Sequence, residues 1–169
     1  MRLFKVNLNL CQEVLKKNTD TTILRSLANE ATNNYYPEDL WLHIFTDYSL
    51  LFNCNNAGPG ISSKLLLFYT SVGQGAAFDG EITTIRAALS QIHCHHDQFT
   101  KAVIFCDSKA ALQSINSSDD PQILEVMDCR RLLRSLESHR KIIVLQWETR
   151  VQIFWPRKAP QLLKFLPAQ

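Results

Sequence analysis

The chain has 169 residues, 46% of them hydrophobic and 20% charged, with five Gly, six Pro and five Cys. That length suits one compact domain, or one domain with an appendage, and the apolar fraction excludes collagen-like, low-complexity and wholly disordered classes. The formal net charge of +2 hides a split: residues 1–120 carry nine Lys/Arg and twelve Asp/Glu, whereas residues 121–169 carry nine and four. Such an asymmetry permits a polyanion partner beside an acidic site.

No run of about 18 apolar residues occurs, so no membrane span is expected. The start Met1-Arg2-Leu3-Phe4-Lys5 lacks the long apolar stretch of a signal peptide, and a soluble intracellular protein is the expectation, in cytoplasm or nucleus. Cys11, Cys54, Cys94, Cys106 and Cys129 are odd in number and contain no Cys-x-x-Cys pair. They read as ordinary thiols of a reducing compartment, not as a zinc ribbon or disulfide framework.

Residues 1–36 read as a polar-rich helical extension, with Ile23, Leu27 and Ala31 at helical spacing after a possible cap at Asp20. Trp41-Leu42-His43-Ile44-Phe45-Thr46 is a strand that ends in Asp47. A turn rich in Asn and Gly, residues 53–60, leads to two further strands at Gly60–Ser63 and Leu65–Ser71, which suggests an antiparallel meander. After the Gly73–Gly75 break, Ile82, Ile85, Leu89 and Ile92 mark an amphipathic helix over Asp79–Ile92, with Glu81 in its first turn. Ala102–Cys106 is a continuous apolar run of the buried parallel kind, and it delivers Asp107. Ser108 caps a short helix, Asp120-Pro121 starts another that runs through Ile123, Met127, Leu133 and Leu136 to about Ser138, and Lys141–Gln146 is the last strand. The order β-β-β-α-β-α-α-β predicts an α/β fold on a mixed five-stranded sheet, three antiparallel strands and then parallel ones, with flanking helices. Three segments follow: a helical extension (1–36), the α/β domain (37–148) and a divergent, irregular tail (149–169).

Asp47, Glu81 and Asp107 occupy a strand end, a helix start and a second strand end. If the two strands are neighbours, the aspartates emerge side by side, and a helix packed across that edge brings in the glutamate. Clustered carboxylates repel one another and are stabilised by divalent cations, and hard oxygen donors favour Mg²⁺ or Mn²⁺. The plain alternative is that all three are turn formers and caps.

The local sequences resemble the ribonuclease H family. Ile44-Phe45-Thr46-Asp47-Tyr48-Ser49 is similar to its opening strand, and Asn56-Ala57-Gly58-Pro59-Gly60-Ile61 to its second. Phe78-Asp79-Gly80-Glu81 through Leu89 is similar to the helix that bears the family's glutamate. Val103-Ile104-Phe105-Cys106-Asp107-Ser108 and Ile142–Trp147 resemble the strand with the third carboxylate and the final strand. Five weak motifs in order, over residues 40–147, make a specific pattern. Its style is that of the ribonuclease H domains of non-LTR retrotransposon reverse transcriptases. The resemblance implies two-metal hydrolysis of the RNA strand of an RNA–DNA hybrid, with Asp47, Glu81 and Asp107 as catalytic metal ligands. It implies Mg²⁺ or Mn²⁺, two ions in the intact family, no small organic cofactor, no membrane and a monomer. Ser49 and Ser108 would face substrate, and Arg130, Arg131 and Arg134 would hold the hybrid backbone.

The match breaks after Trp147. The family continues with a loop histidine and a helix bearing a fourth carboxylate, but here no His follows His139 and no Asp or Glu follows Glu148. Glu148 itself lies too close to the last strand to be taken as the replacement. Tyr48 stands where the family has Gly, and Phe78 where it often has a polar residue. The expected result is weak or absent catalysis, with one metal site instead of two. The alternative is a non-catalytic nucleic-acid-binding module or a decayed retroelement relic with the same fold. A transposase or integrase is disfavoured, because Glu81 falls between the two aspartates in chain order. His93-Cys94-His95-His96-Asp97 reads as an exposed loop, since adjacent positions do not all face one ion. Trp41 and Trp147 read as core residues. No Gly-x-Ser-x-Gly elbow of a serine hydrolase occurs.

Overall fold

The structure, a computed structural model, describes residues 4–9, 21–47, 60–63, 67–69, 77–121 and 123–148. Six strands make one mixed sheet: β1 (Phe4–Asn7), β2 (Leu42–Asp47), β3 (Gly60–Ser63), β4 (Leu67–Tyr69), β5 (Lys101–Cys106) and β6 (Ile142–Trp147). Their order is β1-β6-β5-β2-β3-β4. The first four in that order are mutually parallel, and β3 and β4 continue from β2 in antiparallel fashion. Among the described residues four α-helices accompany them: α1 (Thr21–Tyr35), α2 (Ala77–Cys94), α3 (Lys109–Asn116) and α4 (Leu124–Ser138).

The five-stranded expectation is therefore corrected to six. Phe4–Asn7 lies in the segment read as helical, but it pairs with β6 from Phe4↔Ile143 to Asn7↔Gln146. Four residues are too few for periodicity to separate strand from helix. What decides is tertiary: β6 would otherwise be an edge with unpaired peptide groups. Gln146 fixes the attachment. Its buried side-chain oxygen accepts from Asn7 Nδ2 at 2.9 Å and from the Tyr36 hydroxyl at 2.7 Å. Its Nε2 donates to the carbonyls of Asn9 at 2.6 Å and Trp147 at 2.8 Å. All four hydrogen-bonding positions of this amide are filled, as burial requires.

The sheet has two covered faces. Ile44, Ile104, Cys106, Ile143 and Leu145 face Ile82, Ile85, Leu89 and Ile92 of α2, Leu112 and Ile115 of α3, and Leu133 and Leu136 of α4. The opposite face carries Val103, Phe105 and Val144 under Tyr36, with Trp41 and Phe45 packed alongside. Phe45 stacks on Phe105 across β2 and β5 at 5.1 Å. The apolar stripe of α2 is the expected one. The stripe of α1 is only partly inward, because Ile23 is 53% exposed. Trp41 and Trp147 are half-buried, each packed at the margin of one cluster.

The start expected for α4 at Asp120-Pro121 is also corrected. The helix begins at Leu124, with Ile123 extended at the cap position. Arg130 explains the delay: its guanidinium donates to the carbonyls of Ser114, Ile115 and Asp119, which holds the α3–α4 connection in a non-helical path. The inward face becomes Val126, Cys129, Leu133 and Leu136, and Met127 points to solvent. The readings at Asn53–Pro59, Gly73–Gly75 and 149–169 lie outside the described residues. No helix among the described residues is long and apolar enough to cross a membrane.

Candidate metal centre

β2 and β5 are parallel neighbours whose chain connections leave in opposite directions, β2 towards β3 and β5 towards β6. Both strands end at the same edge of the sheet. Phe45 pairs with Phe105, so the backbone of Asp47 at the end of β2 stands level with Asp107, just past β5. Cys106 pairs with Trp147, so Glu148 stands level with Asp107 on the other side. Three acidic residues thus occupy equivalent positions at the ends of three adjacent parallel strands.

Glu81 reaches the same edge as the fifth residue of α2, which starts at Ala77, two residues before the expected Asp79. Gly80 is buried against the sheet, and the missing side chain lets that turn approach closely. Thr84 Oγ1 donates to the Gly80 carbonyl at 2.7 Å and tightens the turn. Glu81 is half-buried, and one oxygen each from Glu81 and Asp107, with Cys106 Sγ, lie within 4.8 Å of one another. The expected juxtaposition of Glu81 with Asp107 is present. Asp47 is located by its backbone, and Ser49 lies outside the described residues.

The surroundings hold this edge in place. Thr46 Oγ1 donates to the Phe105 carbonyl at 2.8 Å, and the Glu148 amide donates to the Cys106 carbonyl at 2.9 Å. Trp147 Nε1 donates to the Asp107 carbonyl at 3.3 Å, and Lys109 Nζ sits 4.5 Å over the indole. Ser108 Oγ accepts from the Ala111 amide at 3.2 Å, which makes it the cap of α3.

Cys106 is fully buried, and its one thiol proton has two acceptors at 3.9 Å, Glu81 Oε2 and the Ser108 carbonyl. Burial pushes the thiol far above its usual range, and the adjacent Glu81 and Asp107 charges push it the same way. Without a cation the thiol therefore stays protonated. The two carboxylates of the group, Glu81 and Asp107, are hard oxygen donors of the kind that favour Mg²⁺ or Mn²⁺.

Of the arginines expected to hold substrate, Arg130 is committed to three carbonyls. Arg131 pairs with Asp128 at 3.2 Å, and Arg134 is exposed. These three line one hollow with Ser118 and Asp120. The residue that sequence reasoning set aside is Glu148. It is 4% exposed, and the signal for its position is strand register, which a linear motif does not carry.

No family model matches the chain, and no curated protein matches it. Among solved structures, the chain is similar to the N-terminal RNase H domain of Rv2228c from Mycobacterium tuberculosis, solved as a fusion with maltose-binding protein. The identity is 16% and the TM-score 0.49, over 71% of this chain and 95% of that one.

Proposed function

We propose that the chain is a ribonuclease H-type endonuclease that hydrolyses the RNA strand of an RNA–DNA hybrid with divalent metal ions. The reading rests on one observation: Glu81 and Asp107 converge at the C-terminal ends of β2 and β5, with the Asp47 backbone level with them. The ordered motifs around the same three residues support it independently. Asp47, Glu81 and Asp107 are the ligands in this reading, and Mg²⁺ or Mn²⁺ held there supplies Lewis-acid stabilisation of charge developing on the phosphate. The protein's own share is positional. α2 presents Glu81, and the Trp147 indole and the Glu148 amide brace the end of β5.

Glu148 modifies the expectation of lost catalysis. The family's fourth carboxylate comes from a following helix, for which no matching acidic residue exists after Glu148. A carboxylate from the end of β6, level with Asp107, serves in its place in this proposal. Activity is then reduced relative to the intact family pattern, and not abolished. A hybrid duplex suits such a site because it is read by minor-groove shape and 2′-hydroxyl groups more than by sequence. Arg131 and Arg134 are the basic side chains proposed for the phosphate backbone, with Arg130 structural.

The second reading is a binding module of the same fold without catalysis, favoured by the missing loop histidine. Cleavage of a labelled RNA–DNA hybrid by the purified chain in Mg²⁺ and in Mn²⁺ separates them. RNA products that disappear with Asp107→Asn support the enzyme, and hybrid binding without products supports the module.

A further inference from the structure

In the sequence Cys106 is one of five ordinary thiols, and the proposed hydrolysis gives it no role. Strand geometry sets it apart. Side chains alternate along β5, so Val103 and Phe105 face Tyr36, while Ile104 and Cys106 face the helices, among them α2 with Glu81. Cys106 Sγ lies 3.9 Å from Glu81 Oε2, and an oxygen of Asp107 lies within 4.8 Å of both. Among the described residues this is the one group of three His, Cys or acidic side chains whose ligand atoms gather so closely. Cys129, the other buried thiol among the described residues, faces the Ile82 carbonyl and belongs to no such group.

We infer that Glu81, Cys106 and Asp107 together bind a thiophilic divalent ion of the Zn²⁺ class, with Cys106 as a thiolate ligand. Such an ion holds sulfur at about 2.3 Å and carboxylate oxygen at about 2.1 Å. A sulfur and an oxygen on one tetrahedral ion are then about 3.6 Å apart. The observed 3.9 Å between Sγ and Oε2 exceeds that by about 0.3 Å, a gap that a small rotation of the Glu81 side chain closes. Asp107 is the next residue at the same edge, and water completes a four-coordinate shell.

A second observation concerns the sulfur itself. The backbone amide of Ser108, in the turn that caps α3, donates to Cys106 Sγ at 3.4 Å. An N–H aimed at a sulfur stabilises it as a metal-bound thiolate and holds it in place, as outer hydrogen bonds do for other ligands. When the ion binds, the bond from sulfur to metal forms, the thiol proton passes to solvent, and the Ser108 amide stays on the sulfur. Sulfur in the donor set selects Zn²⁺ over hard ions such as Mg²⁺. An ion held this way occupies both carboxylates assigned to Mg²⁺ or Mn²⁺, so it blocks the centre. That consequence rests on the proposed function; capture of the ion by the three side chains does not.

The test uses Co²⁺ as the probe, because its bond to a thiolate gives a charge-transfer absorption in the near ultraviolet. The full chain is titrated with Co²⁺ in the presence of Mg²⁺, beside Cys106→Ser, Glu81→Gln, Asp107→Asn and, as a control for the exposed thiol, Cys94→Ala. Circular dichroism checks folding. The parent chain and Cys94→Ala should bind one equivalent with that absorption, and one equivalent of Zn²⁺ should abolish it. The absorption should be lost in Cys106→Ser, and the affinity should be at least tenfold weaker in Glu81→Gln and Asp107→Asn. Its absence from the parent chain, its persistence in folded Cys106→Ser, its loss in Cys94→Ala, or an unchanged affinity in both carboxylate variants overturns the inference. The carboxylate variants decide alone if Cys106→Ser does not fold. None of these outcomes depends on whether the chain cleaves a hybrid.

Discussion

Asp107 and Glu148 stand side by side at the ends of two parallel strands, joined through the 2.9 Å bond from the Glu148 amide to the Cys106 carbonyl. Glu148 is buried although it follows the last strand, and its neighbour Trp147 bonds to Asp107 itself. Replacing it as Glu148→Gln keeps size and hydrogen bonding and removes the charge. If Glu148 stands in for the fourth carboxylate as proposed, hybrid cleavage in Mg²⁺ should fall at least tenfold, with kcat affected more than KM. A single-turnover cleavage series on parent and variant measures this.

Crowded carboxylates oppose folding when no cation is bound. Asp107→Asn should therefore raise the melting temperature in chelator by about 2–4 °C, corresponding to roughly 1 kcal/mol of relieved repulsion. The same substitution should shrink the rise in melting temperature that Mg²⁺ or Mn²⁺ gives the parent chain. Thermal melts with and without metal provide both readings.

Gln146 carries the junction of β1, β6 and the end of α1. Gln146→Leu leaves Asn7 and the Tyr36 hydroxyl without their acceptor, and the loss should be about 2–4 kcal/mol by denaturant unfolding. Protection of the Lys5 and Val6 amides from hydrogen exchange should fall more than that of β5.

Arg130 and Arg134 should separate structure from binding. Arg130→Ala should destabilise the chain by about 1.5–3 kcal/mol through its three carbonyl partners, at unchanged salt dependence of hybrid binding. Arg134→Ala should leave stability unaltered and reduce the salt slope of hybrid binding by about one. Unfolding curves and binding at several salt concentrations decide between them.

Cys129 predicts an alkaline effect. Burial pushes its thiol up to about 12 from an ordinary 9.0, with nearby Arg86 acting in the opposite sense. A raised pKa means that the unfolded chain loses its proton first, so this contribution is complete below pH 9 and fades as pH rises towards 12. Relative to Cys129→Ala, the parent chain should lose up to about 1.4 kcal/mol per pH unit within that window. The variant itself should be less stable at neutral pH, from the cavity left beside Ile82.

Much of the fold could be read directly. The stripe of Ile82, Ile85, Leu89 and Ile92 and the apolar run of Ala102–Cys106 are long enough for burial to dictate one periodicity each. What was not legible was decided by partners distant in sequence. Phe4–Asn7 is a strand because β6 is there to pair with it, and α4 starts late because Arg130 holds the preceding loop. Within the candidate site, Glu81 and Asp107 were recognisable from their motifs. Glu148 depended on register.

The central claim is that the carboxylates at the ends of β2 and β5 support metal-dependent cleavage of RNA within a hybrid. Its most direct test follows a 5′-labelled RNA strand annealed to DNA, incubated with the purified chain and Mg²⁺ or Mn²⁺, beside the Asp107→Asn variant. The account predicts slow internal cleavage of the RNA alone, leaving 5′-phosphate and 3′-hydroxyl ends, lost in the variant and in chelator. An uncut hybrid at high protein concentration in both metals, or cleavage that persists in Asp107→Asn, would contradict it.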